Sequence, residues 1–221
     1  MNSPPQSADQ FSELKHFRSK LKNAGRLAQE VNRTHLIDDV SKFEAYRNGF
    51  FSWDERLNSL RCRSALECIL DWTEPLSSLT EENLLELHTV IKDGCSTCHW
   101  RQEDGPLLFN RQPTLAPEMV ERALHRFIGW VGSEGFGEIH PIEQAAVSQL
   151  RLFEICPFTE FSHTVSIIFS YYFLVTAGYL FPTFEEVEIE HYQEAMLDGL
   201  QFSTSRIVNL HLKACLRSYE M

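Results

Sequence analysis

The chain has 221 residues, 43% of them hydrophobic and 23% charged, which is enough apolar side chain for one sizeable buried core. Nine prolines and ten glycines are too few for a collagenous or low-complexity chain. The 31 acidic residues outnumber the 20 basic ones, giving a net charge of −11 that argues against nucleic acid or an anionic membrane as the main partner.

Met1 to Gln10 is polar and proline-bearing, without the basic start and apolar run of a secretory signal, so a cytoplasmic chain with reduced thiols at 62, 68, 95, 98, 156 and 215 is expected. Delivery into another cell stays open. Residues 11–31 place Phe11, Leu14 and Leu21 at helical spacing, with a basic stripe from Lys15 to Arg33 read as a solvated face. A helical extension over 1–39 is expected, followed by one domain over 40–221. Between Val40 and Trp72, Phe43, Phe50, Phe51, Trp53, Leu57, Leu60, Leu66 and Leu70 predict two core-filling helices broken near Asn48 and Gly49.

Ser78 and Glu81 have the spacing of a capping box, after which Leu84, Leu87, His88 and Ile91 share one helical face that ends at Gly94. Gly105, Pro106 and Pro113 around Leu107, Leu108 and Phe109 predict a loop carrying a small hairpin. Pro117 and Glu118 open a helix with Val120, Leu124, Phe127 and Val131 on one face, and the Gly132–Gly137 stretch predicts a turn. Ile142, Ala146, Leu150 and Phe153 predict the next helix, which must stop before Pro157.

Val165 to Phe181 is a run of 17 residues without a charge, at the lower edge of membrane-spanning length. Ser166, Ser170, Thr176 and Gly178 interrupt it and no basic cluster flanks it, so a helix buried inside the domain is the reading adopted. Val187, Tyr192, Ala195, Met196 and Leu200 predict one further helix, and Ile207, Leu210, Ala214 and Leu216 a last one. The expected fold is mostly α with one small β-hairpin.

Cys95, Cys98 and His99 have the C-x-x-C-H spacing of haem attachment, and such pairs also suit zinc or a redox dithiol. Haem attachment needs an export context and structural zinc a second ligand pair, so the spacing is read as coincidental, with metal or redox binding the weakest of three functional readings. Gly132 to Gly137 has the wrong spacing for a phosphate cradle, and the acidic group Glu185, Glu186, Glu188 and Glu190 reads as a solvated helix start.

One segment remains: Ile155 to Thr164, reading I-C-P-F-T-E-F-S-H-T, followed by an apolar helix ending in Ala177, Gly178 and Tyr179. It resembles, without a gap, the Fic (Fido) signature H-P-F-x-D/E-G-N-G-R-x-x-R and the A-G-Y that often ends the helix after it. The resemblance extends to His140–Ala146 and Phe153–Ile155, to the Leu84–Ile91 helix, to Ala116–Trp130 and to Tyr192–Cys215. Gly105 to Arg111 falls where that family has its target-docking hairpin, or flap. Arg63 to Cys68, within 60–72, resembles its inhibitory helix, with Glu67 at the glutamate position and Arg63 and Cys68 departing from the pattern.

The resemblance implies a Fic-like helical domain with a flap, and it assigns roles that this sequence only partly keeps. The general-base histidine is replaced by Cys156, Pro157 and Phe158 match, and Glu160 holds the metal-binding acid position. Phe161, Ser162, His163 and Thr164 replace G-N-G-R, and Ile167 replaces the second arginine, leaving Glu67 without the cation it would clamp. Bulk at Phe161 and missing charge at Thr164 and Ile167 predict poor triphosphate binding, and Glu160 alone predicts weak Mg²⁺ affinity.

The function expected is a degenerate Fic-like protein without standard AMP transfer that binds or regulates another protein through Leu107, Leu108 and Phe109. Trp100 is either part of that edge or core. No cofactor is expected. The alternative is an active transferase moving AMP or another phosphate-containing group onto a protein side chain. It would use ATP and Mg²⁺, with Glu160, Ser162 and Thr164 on the cofactor and Cys156 or His163 handling the proton. Neither reading fixes the partner or the oligomeric state.

Overall fold

A computed structural model describes residues 55–73, 78–92, 94, 98–108, 112–182 and 186–218, the side chains of 55–63 and 186–190 excepted. The predicted helix over 11–31 and the break at Asn48 and Gly49 lie outside the described residues, as do Cys95 and Phe109. Eight helices run through the described residues: α1 (Glu55–Trp72), α2 (Glu81–Ile91), α3 (Pro117–Val131), α4 (Glu134–Gly137), α5 (Pro141–Ile155), α6 (Ser162–Thr176), α7 (Glu186–Leu200) and α8 (Ser205–Arg217). Between described residues the strand pairing is an antiparallel bridge of Leu108 with Gln112, and the described chain is mostly α.

The apolar periodicities set the packing. Leu84, Leu87, His88 and Ile91 are the buried residues of α2, and Val120, Leu124, Phe127 and Val131 those of α3, the same faces that the spacing predicts. Helix α6 lacks a polar face, and twelve of its fifteen residues are buried. It is the central helix, paired with α5 and covered by α1 and α2, while α3, α7 and α8 pack on α5. Each fully buried Phe or Leu of this layer contributes about 1.5–3 kcal/mol.

Two serines in the body of α6 are satisfied within their own helix. Ser166 Oγ donates to the His163 carbonyl at 2.7 Å and Ser170 Oγ to the Ile167 carbonyl at 2.6 Å, so their burial leaves no donor unmet. Among the described residues, no helix is long and apolar enough to cross a membrane.

Two local expectations are corrected. The first turn of α2 is closed from Thr80, whose N–H donates to Asn83 Oδ1 at 2.9 Å, and not from Ser78 and Glu81. The capping geometry needs a side-chain acceptor three residues into the helix, and Asn83 meets that condition once the helix starts at Glu81. The Gly132–Gly137 stretch contains a one-turn helix, because Ser133 caps it by accepting from the Phe136 N–H at 3.3 Å and Phe136 buries its ring against Phe173 and Trp130.

Candidate functional site

Helix α5 must end before Pro157, and it does so with Cys156 in a left-handed conformation, φ 49° and ψ 65°. The chain then turns through residues 157–161 and re-enters a helix at Phe161, also left-handed at φ 60°. Ser162 draws the turn together. Its hydroxyl accepts from the Phe158 N–H and donates to the Phe158 carbonyl, both at 2.7 Å.

The turn is filled from α2. The His88 ring stacks flat on Phe158, with centroids 3.8 Å apart and planes 1° from parallel, and Trp100 leans on the other ring at 5.3 Å. His88 Nε2 lies 3.2 Å from the Glu160 carbonyl and Nδ1 lies 3.2 Å from Cys98 Sγ. A carbonyl only accepts, so Nε2 carries the proton and Nδ1 accepts from the Cys98 thiol. Burial, reinforced by Lys92 and partly opposed by the Glu160 carbonyl, holds this imidazole down at about 4. It is neutral at pH 7.

Arg101, which the sequence reading did not single out, is the most deeply placed cation of the site, 1% exposed. Its Nε donates to the Cys156 carbonyl at 2.6 Å and Nη2 to Ile155 at 3.4 Å, the last carbonyls of α5. Nη1 donates to Glu103 at 2.9 Å and Nη2 also to Leu115, while the Arg101 N–H donates to Pro157 at 2.9 Å. A guanidinium at a helix C-terminus meets both orphan carbonyls and the negative end of the dipole. All these acceptors are remote in sequence or on the backbone, so no local pattern announces the residue.

The structure gives the sequence-predicted residues separate surroundings. Cys156 is buried, its Sγ 3.9 Å from the Phe158 carbonyl, and burial pushes the thiol up against smaller opposing effects of Ser162 and Arg101. His163 turns to α7, where Nε2 bonds Tyr192 Oη at 2.8 Å and the ring lies between those of Phe153 and Tyr192. Gln149 Nε2 also donates to that Oη, joining α5, α6 and α7 through one polar group. Glu160 is exposed and its Oε2 lies 3.5 Å from Lys92 Nζ. Thr164 and Ile167 are buried on α6.

Glu67 belongs to α1, which packs against α6, the helix that bears Ile167. Of the docking residues, Leu107 is 54% exposed, but Leu108 is 4% exposed and belongs to the core with Leu150, Phe153 and Met196. Leu108 therefore cannot present its side chain to a partner. Trp100 is half-buried against the core. His99 is exposed, and the described cysteines 68, 98, 156 and 215 are in the thiol form, not in disulfides.

The helix after the turn ends on the A-G-Y. Gly178, at φ 79°, donates its N–H to Val175 at 2.8 Å and Tyr179 to Leu174 at 2.9 Å, the two bonds of a Schellman motif. Tyr179 Oη then reaches to within 3.5 Å of His140 Nε2 at the start of α5. A turn bracketed by α5 and α6, with α2 over it and an arginine-rooted loop beside it, thus lies at the centre of the described fold.

No protein-family profile matches the sequence. Solved structures do share the overall fold. A Fic-domain signaling protein from Bacteroides thetaiotaomicron superposes with a TM-score of 0.76 at 16% identity, over 96% of this chain and 95% of that one. Fic-1 of C. elegans gives 0.74 at 14%, over 97% and 70%. IbpAFic2, in a crystal structure that holds it covalently tethered to Cdc42, gives 0.61 at 15%, over 95% and 70%. The chain has the Fic fold.

Proposed function

We propose that this chain is a degenerate Fic-fold protein that has given up standard AMP transfer and works by binding another protein. The observation that carries the reading is the use of the signature positions for internal contacts. Ser162 is committed on both sides to Phe158, His163 to Tyr192, and Glu160 to Lys92, while Cys156, Thr164 and Ile167 are buried.

These donors do not fit a magnesium triphosphate. A hard cation needs several oxygen ligands and phosphates need cationic or glycine-backbone partners. The turn offers one carboxylate with an ammonium against it, and a phenyl ring at the position of the first signature glycine. Cys156 is poorly suited to replace the histidine, because burial favours its neutral thiol.

The docking edge is Leu107 and the peptide groups beside it. Leu108 exchanges both backbone bonds with Gln112, at 2.7 and 3.2 Å, so the neighbouring peptide groups of Leu107 face away from Gln112, as antiparallel alternation requires. An extended segment of a partner can add there as a further strand. IbpAFic2, tethered to Cdc42, is a case of this fold held to a protein.

Titration with ATP and Mg²⁺ by calorimetry tests the reading and should give no heat. Binding near 1 µM, about −8 kcal/mol, overturns it. So does a labelled protein band that appears when lysate and labelled ATP are added and that disappears with Glu160→Ala. A partner retained by the wild-type chain and lost with Leu107→Asp would support the docking edge.

A further inference from the structure

We propose that Arg101 is a positioning residue that makes the neck of the flap and the signature turn one mechanical unit, so that a disturbance of either is felt at the other. This goes beyond the docking reading, for which it would supply a rigid root, and it is testable without a partner.

The neck is formed by two limbs, residues 102–108 and 112–115, closed by the bridge between Leu108 and Gln112. Arg101 grips both limbs, Glu103 on the first and Leu115 on the second, and with the same planar fork grips Ile155 and Cys156 across the molecule. Its own N–H adds a bond to Pro157. All four of its described side-chain acceptors are backbone carbonyls, so the charge is compensated by the positions of two loops and not by a mobile carboxylate. A buried guanidinium left with unmet donors is costly, and no limb can leave without exposing that cost.

The limbs also touch. A Cβ at Gly105 would lie 2.5 Å from Thr114 Oγ1 and 3.2 Å from Arg101 Nε, the nitrogen that holds the Cys156 carbonyl. The flap neck and the turn therefore meet at one atom. Cys156 supplies the reporter, a buried thiol on the far side of the arginine.

The experiment perturbs one end and reads the other. Gly105→Ala should raise peptide-resolved iodoacetamide labelling of Cys156 about tenfold, together with amide exchange over 156–160, while Cys215 in the core stays unlabelled. Arg101→Gln should raise Cys156 labelling as much, and adding Gly105→Ala to it should change little more, because the link is already cut. If Arg101→Gln does not fold, Arg101→Lys keeps the charge without the fork and should show the same loss of additivity. The proposal is overturned if Gly105→Ala loosens 102–115 but leaves Cys156 within about twofold of wild type. It is equally overturned if the two effects multiply independently, or if Cys215 labelling rises in step with Cys156.

Discussion

Helix α6 begins and ends on a left-handed residue, and its two ends are held by different physics. At the C-terminal end the residue is Gly178, and both closing bonds, from Gly178 and Tyr179, return to carbonyls of α6 itself. At the N-terminal end it is Phe161, for which φ 60° is unfavourable. There the local bonds between Ser162 and Phe158 are joined by groups from elsewhere: His88, bonded to the Glu160 carbonyl and stacked on Phe158, and Arg101 on the carbonyls that close α5. A stop built from local chemistry is insensitive to its surroundings. A start built from tertiary partners inherits whatever changes those partners.

The largest expected effect follows from His88. Its imidazole and that of His211, in α8, are both held at about 4 by burial, whereas in the unfolded chain each titrates near 6.5. Between about pH 6.5 and 4 the unfolded chain takes up protons that the folded chain refuses, so stability falls as pH falls, by up to about 1.4 kcal/mol per pH unit for each histidine. Above that window these two groups leave stability flat. Urea unfolding at pH 7, 6 and 5 measures the slope, and His88→Gln should roughly halve it. Protonating His88 also removes the lone pair that accepts from Cys98, so amide exchange over 156–161 should rise in acid before exchange at 174–179 does. Equal sensitivity at the two ends would erase the contrast drawn above.

Substituting the two left-handed residues of α6 should have unequal effects. Gly178→Ala forces a Cβ into the left-handed region at the stop and should cost about 1–2 kcal/mol, independent of pH. Phe161→Gly relieves a similar penalty but strips a half-buried ring from the core, so the two changes offset and the net destabilisation should stay below about 1 kcal/mol. Thermal or urea unfolding of both variants decides it. A Phe161→Gly loss larger than that of Gly178→Ala would mean that Phe161 packing, and not backbone geometry, sets the start of α6.

The same division explains what the amino-acid order discloses. The faces of α2, α3, α5 and α6, and the stop at Gly178, are readable because periodicity and a glycine cap act within a few residues of themselves. The signature turn is recognisable as a string for the same reason. Its supports are not, because they come from far along the chain: His88 lies 72 residues from Glu160, and Arg101 lies 55 from Cys156. His88 reads as one more member of an apolar stripe until the turn is folded beneath it. Leu108 reads as an edge residue because hairpin spacing cannot tell which of two adjacent leucines joins the core that holds Leu150 and Met196. Lys92, beside Glu160, carries no local mark at all.

The smallest expected effect concerns a further left-handed residue, which sharpens the comparison because it keeps the local bonds of a helix stop without the glycine. Phe202 follows α7 at φ 68° and is 82% exposed. Its N–H donates to Gly199 and that of Ser203 to Asp198, both at 2.9 Å, the Schellman bonds seen at Gly178 but with a phenylalanine where glycine is suited. The one described return is Arg151, whose guanidinium lies 5.5 Å from the ring centroid and is shared with Glu154 at 2.7 Å. An exposed contact of that kind contributes about 0.5 kcal/mol, less than the roughly 1 kcal/mol released when the left-handed residue becomes glycine. Phe202→Gly should therefore stabilise the chain by about 0.5 kcal/mol, a gain that Arg151→Ala should raise to about 1 kcal/mol by removing the lost contact from the comparison. Measured destabilisation would show that Phe202 is held by more than its own turn, and would move it from the class of Gly178 to that of Phe161.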